Sequence, residues 1–398
     1  MDDTLTLEGP QALPWSIGDQ AVPRLTLRRC LTSVPPADRL FLLLEARRVL
    51  LPGGTLRVVL AAAEDEAPIL RLAGRLGMLP ATDAEAAARG ERGERSLVLR
   101  KPDRRASAAP SVSLAIPAYS PRFFEQSLAS ALAQTYANLE IIVCDDSAGK
   151  EIEATTRRLG LARSVVYVRN AVRLKGRGNY AKCFALATGE FIKYLNDDDV
   201  LAPDCVQRLV DAFRLAPDIV LATSYRRRVD EAGHLLPDMP ATRPLVDRDI
   251  TIHGVTLANV MLMAGLNVVG EPTTTLFRRA DLRQAMPDDF RFDSPDCMGV
   301  IDMAMWAPLL LKGDAVYIRD ALSHFRIHAG QQQHDPALQQ PTIRAIRSLQ
   351  STWLSLGLHT RFRPDTLLAK PFPGAREPWQ PHPFAPLRAV PAVPRWWT

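Results

Sequence analysis

Asn196-Asp197-Asp198-Asp199 places an amide and three carboxylates directly after Phe191-Ile192-Lys193-Tyr194-Leu195, a run with strand character. Unpaired carboxylates inside a sheet cost too much to keep. The acids therefore belong just past the strand's C-terminal end, the edge where open α/β sheets bind ligands. So many like charges repel one another unless a cation shares them. A divalent metal with oxygen ligands is the natural partner, and Mg²⁺ commonly takes substrate phosphates as well. The plainer alternative is an acidic helix start, since Pro203 and Asp204 follow and carboxylates suit a helix N-terminus. A second acidic group, Asp145-Asp146-Ser147, ends the apolar run Leu139 to Cys144. A carboxylate there can accept from a base N–H or a ribose hydroxyl; an Asx-turn or a helix cap explains it as well. Both groups end parallel strands of one expected sheet, so both can face a single crevice.

Basic side chains supply the complementary chemistry. His324, Arg326 and His328 alternate and share one face if they lie on a strand. They could reach a diphosphate or a metal, with His328 the first candidate; a polar strand face with one buried histidine is the alternative. Arg173, Lys175 and Arg177 sit in a loop near the same edge and read as solvated, with a phosphate contact as the alternative; Arg226-Arg227-Arg228 reads as a solvated hairpin.

The elements that position these groups follow from periodicity. Strands at 112–116, 139–144, 165–168 and 191–195 alternate with helices at 123–134, 150–159, 179–188 and 203–215. That rhythm predicts βαβ units and a mostly parallel sheet covered on both sides. After residue 217 the regularity drops: a hairpin at 219–229, helices at 252–263 and 300–311, and strands at 273–277 and 315–318. Less regular, loop-rich sequence is where specificity residues concentrate. Before the linker at 104–111 a small α/β pattern occupies residues 25–100, and residues 1–20 carry no periodicity. A helix at 342–356 precedes a proline-rich tail expected to be irregular.

At 398 residues, two domains and a tail are expected; 47% hydrophobic and 23% charged residues are globular values. The net charge of +5 is scattered, without the aromatic-interleaved basic stripe of a single-strand nucleic-acid binder. Five dispersed cysteines with no CxxC pair point to a reducing compartment. With no signal-like N-terminus and no run of 18 apolar residues, a cytoplasmic protein in at most peripheral membrane contact is expected.

Several segments together resemble a family 2 glycosyltransferase with the GT-A fold. They are Val112-Ser113-Leu114-Ala115-Ile116-Pro117-Ala118-Tyr119, Ser127 to Tyr136, Leu139 to Ser147, Ala187-Thr188-Gly189-Glu190-Phe191-Ile192 and Asn196 to Asp199. The resemblance covers residues 112–330. It implies a Rossmann-like half for a nucleotide-sugar and a variable half for the acceptor. Carried over by position, Pro117, Tyr119, Asp145, Asp146, Asn179, Asn196 and Asp197 would contact the nucleotide. Asp198, with Asp199, would hold Mg²⁺ or Mn²⁺, and His328, proposed above from its alternation, would join them. Asn196 departs from the family's Asp-x-Asp pattern by one negative charge. Asp302, in Ile301-Asp302-Met303-Ala304-Met305-Trp306, resembles the family's late catalytic acid; Asp293 and Asp296 are its neighbours and rivals. Glu271, in Gly270-Glu271-Pro272-Thr273-Thr274, resembles the acceptor-side loop. The plainer alternatives are a helix-start carboxylate for Asp302 and a turn acid for Glu271.

Glu45 to Leu56, through Pro52-Gly53-Gly54, is similar to the later half of a class I methyltransferase. No Gly-rich loop precedes it to cradle S-adenosylmethionine, so residues 1–103 are expected to be a truncated module with residues 331–398 as helix and tail. The expected activity is inverting transfer of a sugar from a nucleotide-sugar, a UDP-sugar first, to a glycan or lipid-linked hydroxyl in polysaccharide or surface-glycan synthesis. The rival is a non-catalytic GT-A-like binding or scaffold protein, which Asn196 keeps open.

Overall fold

The computed structural model describes residues 4–9, 17–28, 30–31, 34–61, 65–81, 95–160, 165–216, 218–286, 299–331, 336–374 and 377–384. The chain forms two compact units, residues 1–105 with 354–361 and residues 106–353 with 362–398.

The first unit contains β1 (Thr4–Glu8), β2 (Val22–Arg28), α1 (Pro36–Val49), β3 (Leu50–Val59), α2 (Ala67–Arg75), β4 (Leu79–Pro80) and β5 (Ser96–Arg100). Its sheet runs β1-β2-β3-β5-β4, parallel through β3 and antiparallel at β5. Leu25, Leu27, Leu56, Val58 and Leu99 are buried at its centre. Strand β1 corrects the expectation that residues 1–20 are without structure: it lies in register with β2 from Thr4↔Arg24 to Glu8↔Arg28.

The second unit begins with β6 (Val112–Ala118), α3 (Pro121–Leu132), β7 (Leu139–Asp145), α4 (Glu151–Leu159), β8 (Val165–Arg169), α5 (Lys175–Leu186) and β9 (Phe191–Tyr194). It continues with β10 (Val200–Leu201), α6 (Cys205–Leu215), β11 (Ile219–Val229), β12 (Leu235–Leu236), β13 (Ile250–Ile252), α7 (Gly254–Ala264), β14 (Leu276–Arg278), α8 (Arg279–Ala285) and α9 (Ile301–Leu310). Last come β15 (Asp314–Arg326), α10 (Pro336–Ser355), β16 (Thr366–Pro371) and β17 (Gln380–Pro383). Strands β8-β7-β6-β9 are parallel, and beyond β9 the sheet is largely antiparallel, with β11 and β15 again parallel.

The parallel strands are continuous apolar runs because both faces are covered. One face of β6, with Leu114 and Ile116, packs on Phe124 and Leu128 of α3, Ile152 of α4 and Leu209 and Phe213 of α6. On the other side α5 lies on β6 and β7. The tail is not wholly irregular: β16 pairs with β13 and β17 with β16, so proline-rich sequence here closes a sheet edge. No helix among the described residues is long and apolar enough to cross a membrane.

Candidate active site

Strands β6, β7 and β9 end at one edge. Ala118 pairs with Asp145, and Asp146 N donates to Ala118 O at 2.9 Å. The residues that follow, Tyr119, Asp146 and Asn196 to Asp198, line a cleft of about 600 Å³. Pro117 and Asn179 also line it, as do His328 and Gln331 from the segment after β15.

Asp198 and His328 meet in the cleft. Asp198 Oδ2 lies 3.1 Å from His328 Nε2 and accepts from Gln331 Nε2 at 3.2 Å. Two neighbouring ligands of an octahedral ion at about 2.1 Å lie roughly 3 Å apart, so this pair has the spacing of two metal ligands. Among the described residues no group of three or more His, Cys, Asp or Glu side chains is arranged to hold a metal. A metal on Asp198 and His328 would need its remaining oxygens from a diphosphate and water, as Mg²⁺ sites commonly do.

The neighbouring acids have other partners. Asp197 Oδ2 accepts from Tyr119 N at 2.6 Å and Ser120 N at 2.7 Å, which fixes the entry to α3. Burial, then the Asp198 charge, push its carboxyl up to about 7. Asp199 corrects the expectation of a second metal-binding carboxylate. It is fully buried, with Oδ2 on Thr273 Oγ1 at 2.6 Å and Oδ1 on Arg326 N at 3.1 Å. Burial and then Asp198 hold it well above the usual carboxylate range. Consecutive acids in a tight turn cannot all point one way. Asn196 Oδ1 accepts from the Tyr180 hydroxyl. Burial, then the Asp199, Asp302, Asp198 and Asp197 charges, keep that phenol protonated.

Asp145 is a second correction. Its carboxylate is buried and accepts from Tyr167 Oη at 2.6 Å and Ser147 N at 2.8 Å, so it does not reach the cleft. Asp146 does line the cleft, yet it accepts from Leu174 N, Lys175 N and Asn170 Nδ2, each at 2.8 Å. Asn179 Nδ2 donates to Ala118 O and Cys144 O, tying together the ends of β6 and β7. These groups hold the entry to α5, whose first residue, Lys175, has φ 59°. Arg173 and Lys175 are exposed and Arg177 half-buried, and all three line the cleft, where the Arg173 guanidinium sits 4.3 Å over the Tyr119 ring.

Of the histidine alternation, His328 lies past the end of β15 and turns to Asp198. Val200 of β10 pairs with His324, and burial lowers that imidazole's affinity for a proton. Arg326 is buried beneath the acidic turn, with Nε on Asp198 O at 2.9 Å and Nη2 on Gln126 Oε1 at 2.6 Å.

Asp302 opens α9, half-buried, beside the cleft-lining Ile301. Its carboxylate accepts from Met303 N at 2.7 Å and Asn267 Nδ2 at 2.5 Å. Burial pushes it up to about 6; Met303 N, Asn267 and Arg226 oppose that, and Glu271 adds to it. Asp293 and Asp296 lie outside the described residues. Glu271 does not line the cleft: it pairs with Arg226 at 2.6 Å, and Arg226 is buried rather than part of a solvated hairpin. Tyr180 and Gln331 had no signal in the sequence, being single polar residues without a motif.

Residues 113–280 match the model of Glycosyl transferase family 2. A Mycobacterium tuberculosis protein termed uncharacterized protein MT1568 is 30% identical over 226 residues, 54% of this chain and 67% of that one. An uncharacterized glycosyltransferase of Nostoc sp. is 26% identical over 212 residues, 52% of this chain and 61% of its own. Chondroitin synthase of Escherichia coli is 33% identical over 132 residues, 32% of this chain but 19% of that enzyme. The chain thus spans two thirds or less of the length of several curated relatives. Among solved structures, S. aureus TarS 1-349 in complex with UDP-GlcNAc has a TM-score of 0.46 at 13% identity, over 63% of this chain and 73% of that one. The mannosyltransferase PcManGT from Pyrobaculum calidifontis, in complex with GDP-Man and Mn²⁺, has a TM-score of 0.43 at 16% identity, over 64% and 68%.

Proposed function

We infer that this chain, which belongs to glycosyltransferase family 2 through residues 113–280, moves a sugar from a nucleotide-sugar to a hydroxyl with inversion. The observation that carries this reading is the convergence of Asp198 and His328 at 3.1 Å in a cleft that also holds Tyr119 and three cations. In this reading the donor's base meets Tyr119. Its diphosphate lies between Asp198–His328 and Arg173, Lys175 and Arg177. A bound Mn²⁺ or Mg²⁺ supplies charge stabilisation to the departing diphosphate. Tyr180 and Gln331 hold Asn196 and Asp198 in place. Asp302, ionised above about pH 6, takes the proton of the acceptor hydroxyl on the far side of the sugar.

The acceptor we propose is a glycan or lipid-linked sugar in polysaccharide or surface-glycan assembly. The names of two relatives, chondroitin synthase and the O-antigen biosynthesis protein RfbC of Myxococcus xanthus, support that class. Free, buried Cys30, Cys144, Cys183 and Cys205 agree with a cytoplasmic setting, in peripheral contact with the membrane that carries such acceptors. For the first unit we keep the truncated methyltransferase-like module as our reading. The antiparallel β5 inserted between β3 and β4 supports it. A non-catalytic binding protein is the second reading, favoured by Asn196 and by the burial of Asp199.

The test follows nucleoside diphosphate release from UDP-glucose, UDP-GlcNAc and GDP-mannose with Mn²⁺, with the first sugar anomer identified by NMR. We expect one donor to be hydrolysed to the β anomer, and Asp302→Asn to be at least about 100-fold slower. An α anomer formed first contradicts inversion. No release from any donor, with nucleotide binding intact, favours the non-catalytic reading.

A further inference from the structure

The side chain of Asn267 is committed on every side. Its Nδ2 donates to Asp302 Oδ2 at 2.5 Å and to Gly270 O at 2.9 Å, and its Oδ1 accepts from Gly270 N at 2.9 Å. The turn it closes depends on Gly270, whose φ is 114°; a Cβ there would lie 2.3 Å from Thr274 Oγ1. Arg226 grips both ends of this turn, with Nη2 on Asn267 O at 3.3 Å and Nε on Glu271 Oε2 at 2.6 Å. Helix α9 meets the turn a second time one helical turn on, where Trp306 Nε1 donates to Gly270 O at 3.0 Å. Asp302 and Trp306 thus present two rungs of one helix face to a turn that cannot move independently.

A carboxylate that merely starts a helix is satisfied by its own first N–H groups. Here only Oδ1 is used that way, on Met303 N, and Oδ2 is taken by a side chain 35 positions away in sequence. We propose that Asn267, locked in place by the Arg226–Glu271 ion pair, is the positioning residue that fixes Asp302 for proton abstraction. The proposal rests on Asp302 being the base. An amide donor to a carboxylate also favours its ionised form, as Arg226 does, against burial and the Glu271 charge. Tyr180 on α5 also feels the Asp302 charge.

The isosteric Asn267→Asp keeps the acceptor for Gly270 N, removes the donor to Asp302 and Gly270 O, and sets a second carboxylate against Asp302; Asn267→Ala removes the same donor without adding charge. The experiment titrates the Asp302 carboxyl by ¹³C NMR in aspartate-labelled protein, with Asp302→Asn assigning the resonance, and records the pH–rate profile of UDP-glucose hydrolysis. We expect the Asp302 midpoint to rise by about one unit or more, and the acid limb of the profile to move with it. At pH 7, kcat should fall about tenfold with the KM for UDP-glucose unchanged. Asn267→Ala should move the midpoint in the same direction, and serves if the first variant does not fold. A wild-type midpoint in either variant overturns the proposal, whether or not UDP-glucose is turned over. If Asp302→Asn abolishes hydrolysis and Asn267→Asp leaves kcat and the midpoint untouched, only the positioning role fails. If Asp302→Asn hydrolyses normally, the base assignment falls and the proposal with it.

Discussion

The proposed base, Asp302, holds its proton to a higher pH than an ordinary carboxyl. Burial pushes its carboxyl up to about 6, above the ordinary value of about 4. The folded state therefore favours the protonated form. The resulting stability is fully present below about pH 4 and is lost as pH rises through about 6. Wild-type stability to urea should fall across that window by roughly 1–3 kcal/mol more than that of Asp302→Asn. Parallel pH dependences in the two proteins would place Asp302 in water. Asp198 and His328 differ from Asp302 in kind: they meet side by side at 3.1 Å in the cleft, and that spacing suits a shared cation. Asp145, Asp197 and Asp199 are acids of the same motifs, yet each is spent on backbone or hydroxyl donors.

At the scale of elements, the cleft is made by where strands stop and helices start. Tyr119 follows β6, and Ser120 caps α3 by accepting from Arg122 N at 3.3 Å. Elsewhere, close backbone approach sets the packing. A Cβ on Gly254, at the start of α7, would lie 1.9 Å from Gly313 O and 2.4 Å from Leu310 O. Gly254→Ala should therefore cost about 1–3 kcal/mol in urea denaturation; an unchanged midpoint would mean that α7 shifts freely. The parallel strands and their helices were legible because a strand buried on both faces reads as a continuous apolar run. Strand β1 was not, since Thr4-Leu5-Thr6-Leu7-Glu8 is five residues without a flanking helix pattern. Strand β17 was hidden by Pro381 and Pro383, which its edge position tolerates, and β16 by the proline-rich sequence around it. In the site, the acidic turn and His328 could be read from residue type. The split of its acids between cleft and core could not, because side-chain direction in a turn is set by Thr273 and Arg326, far away in sequence. Arg226 and Glu271 each looked local, and only the fold pairs them.

For the whole molecule, every residue of the cleft belongs to the second unit, and the family match falls within it as well. The first unit has its own five-stranded sheet and core. The net charge of +5 is modest, and Arg173, Lys175 and Arg177 at the cleft come from one short stretch, the loop into α5 and its first turn. Binding of an anionic donor should thus depend on a few local groups.

The most direct measurement is calorimetric titration of the full chain with UDP, GDP, dTDP and CDP, each with and without Mn²⁺, alongside Asp198→Ala. One nucleoside diphosphate should bind with Mn²⁺, its affinity should drop at least about tenfold without the metal, and Asp198→Ala should bind as the metal-free protein does. Metal-independent binding unaffected by Asp198→Ala, or no binding of any nucleotide with Mn²⁺ present, would contradict metal-assisted binding of the donor.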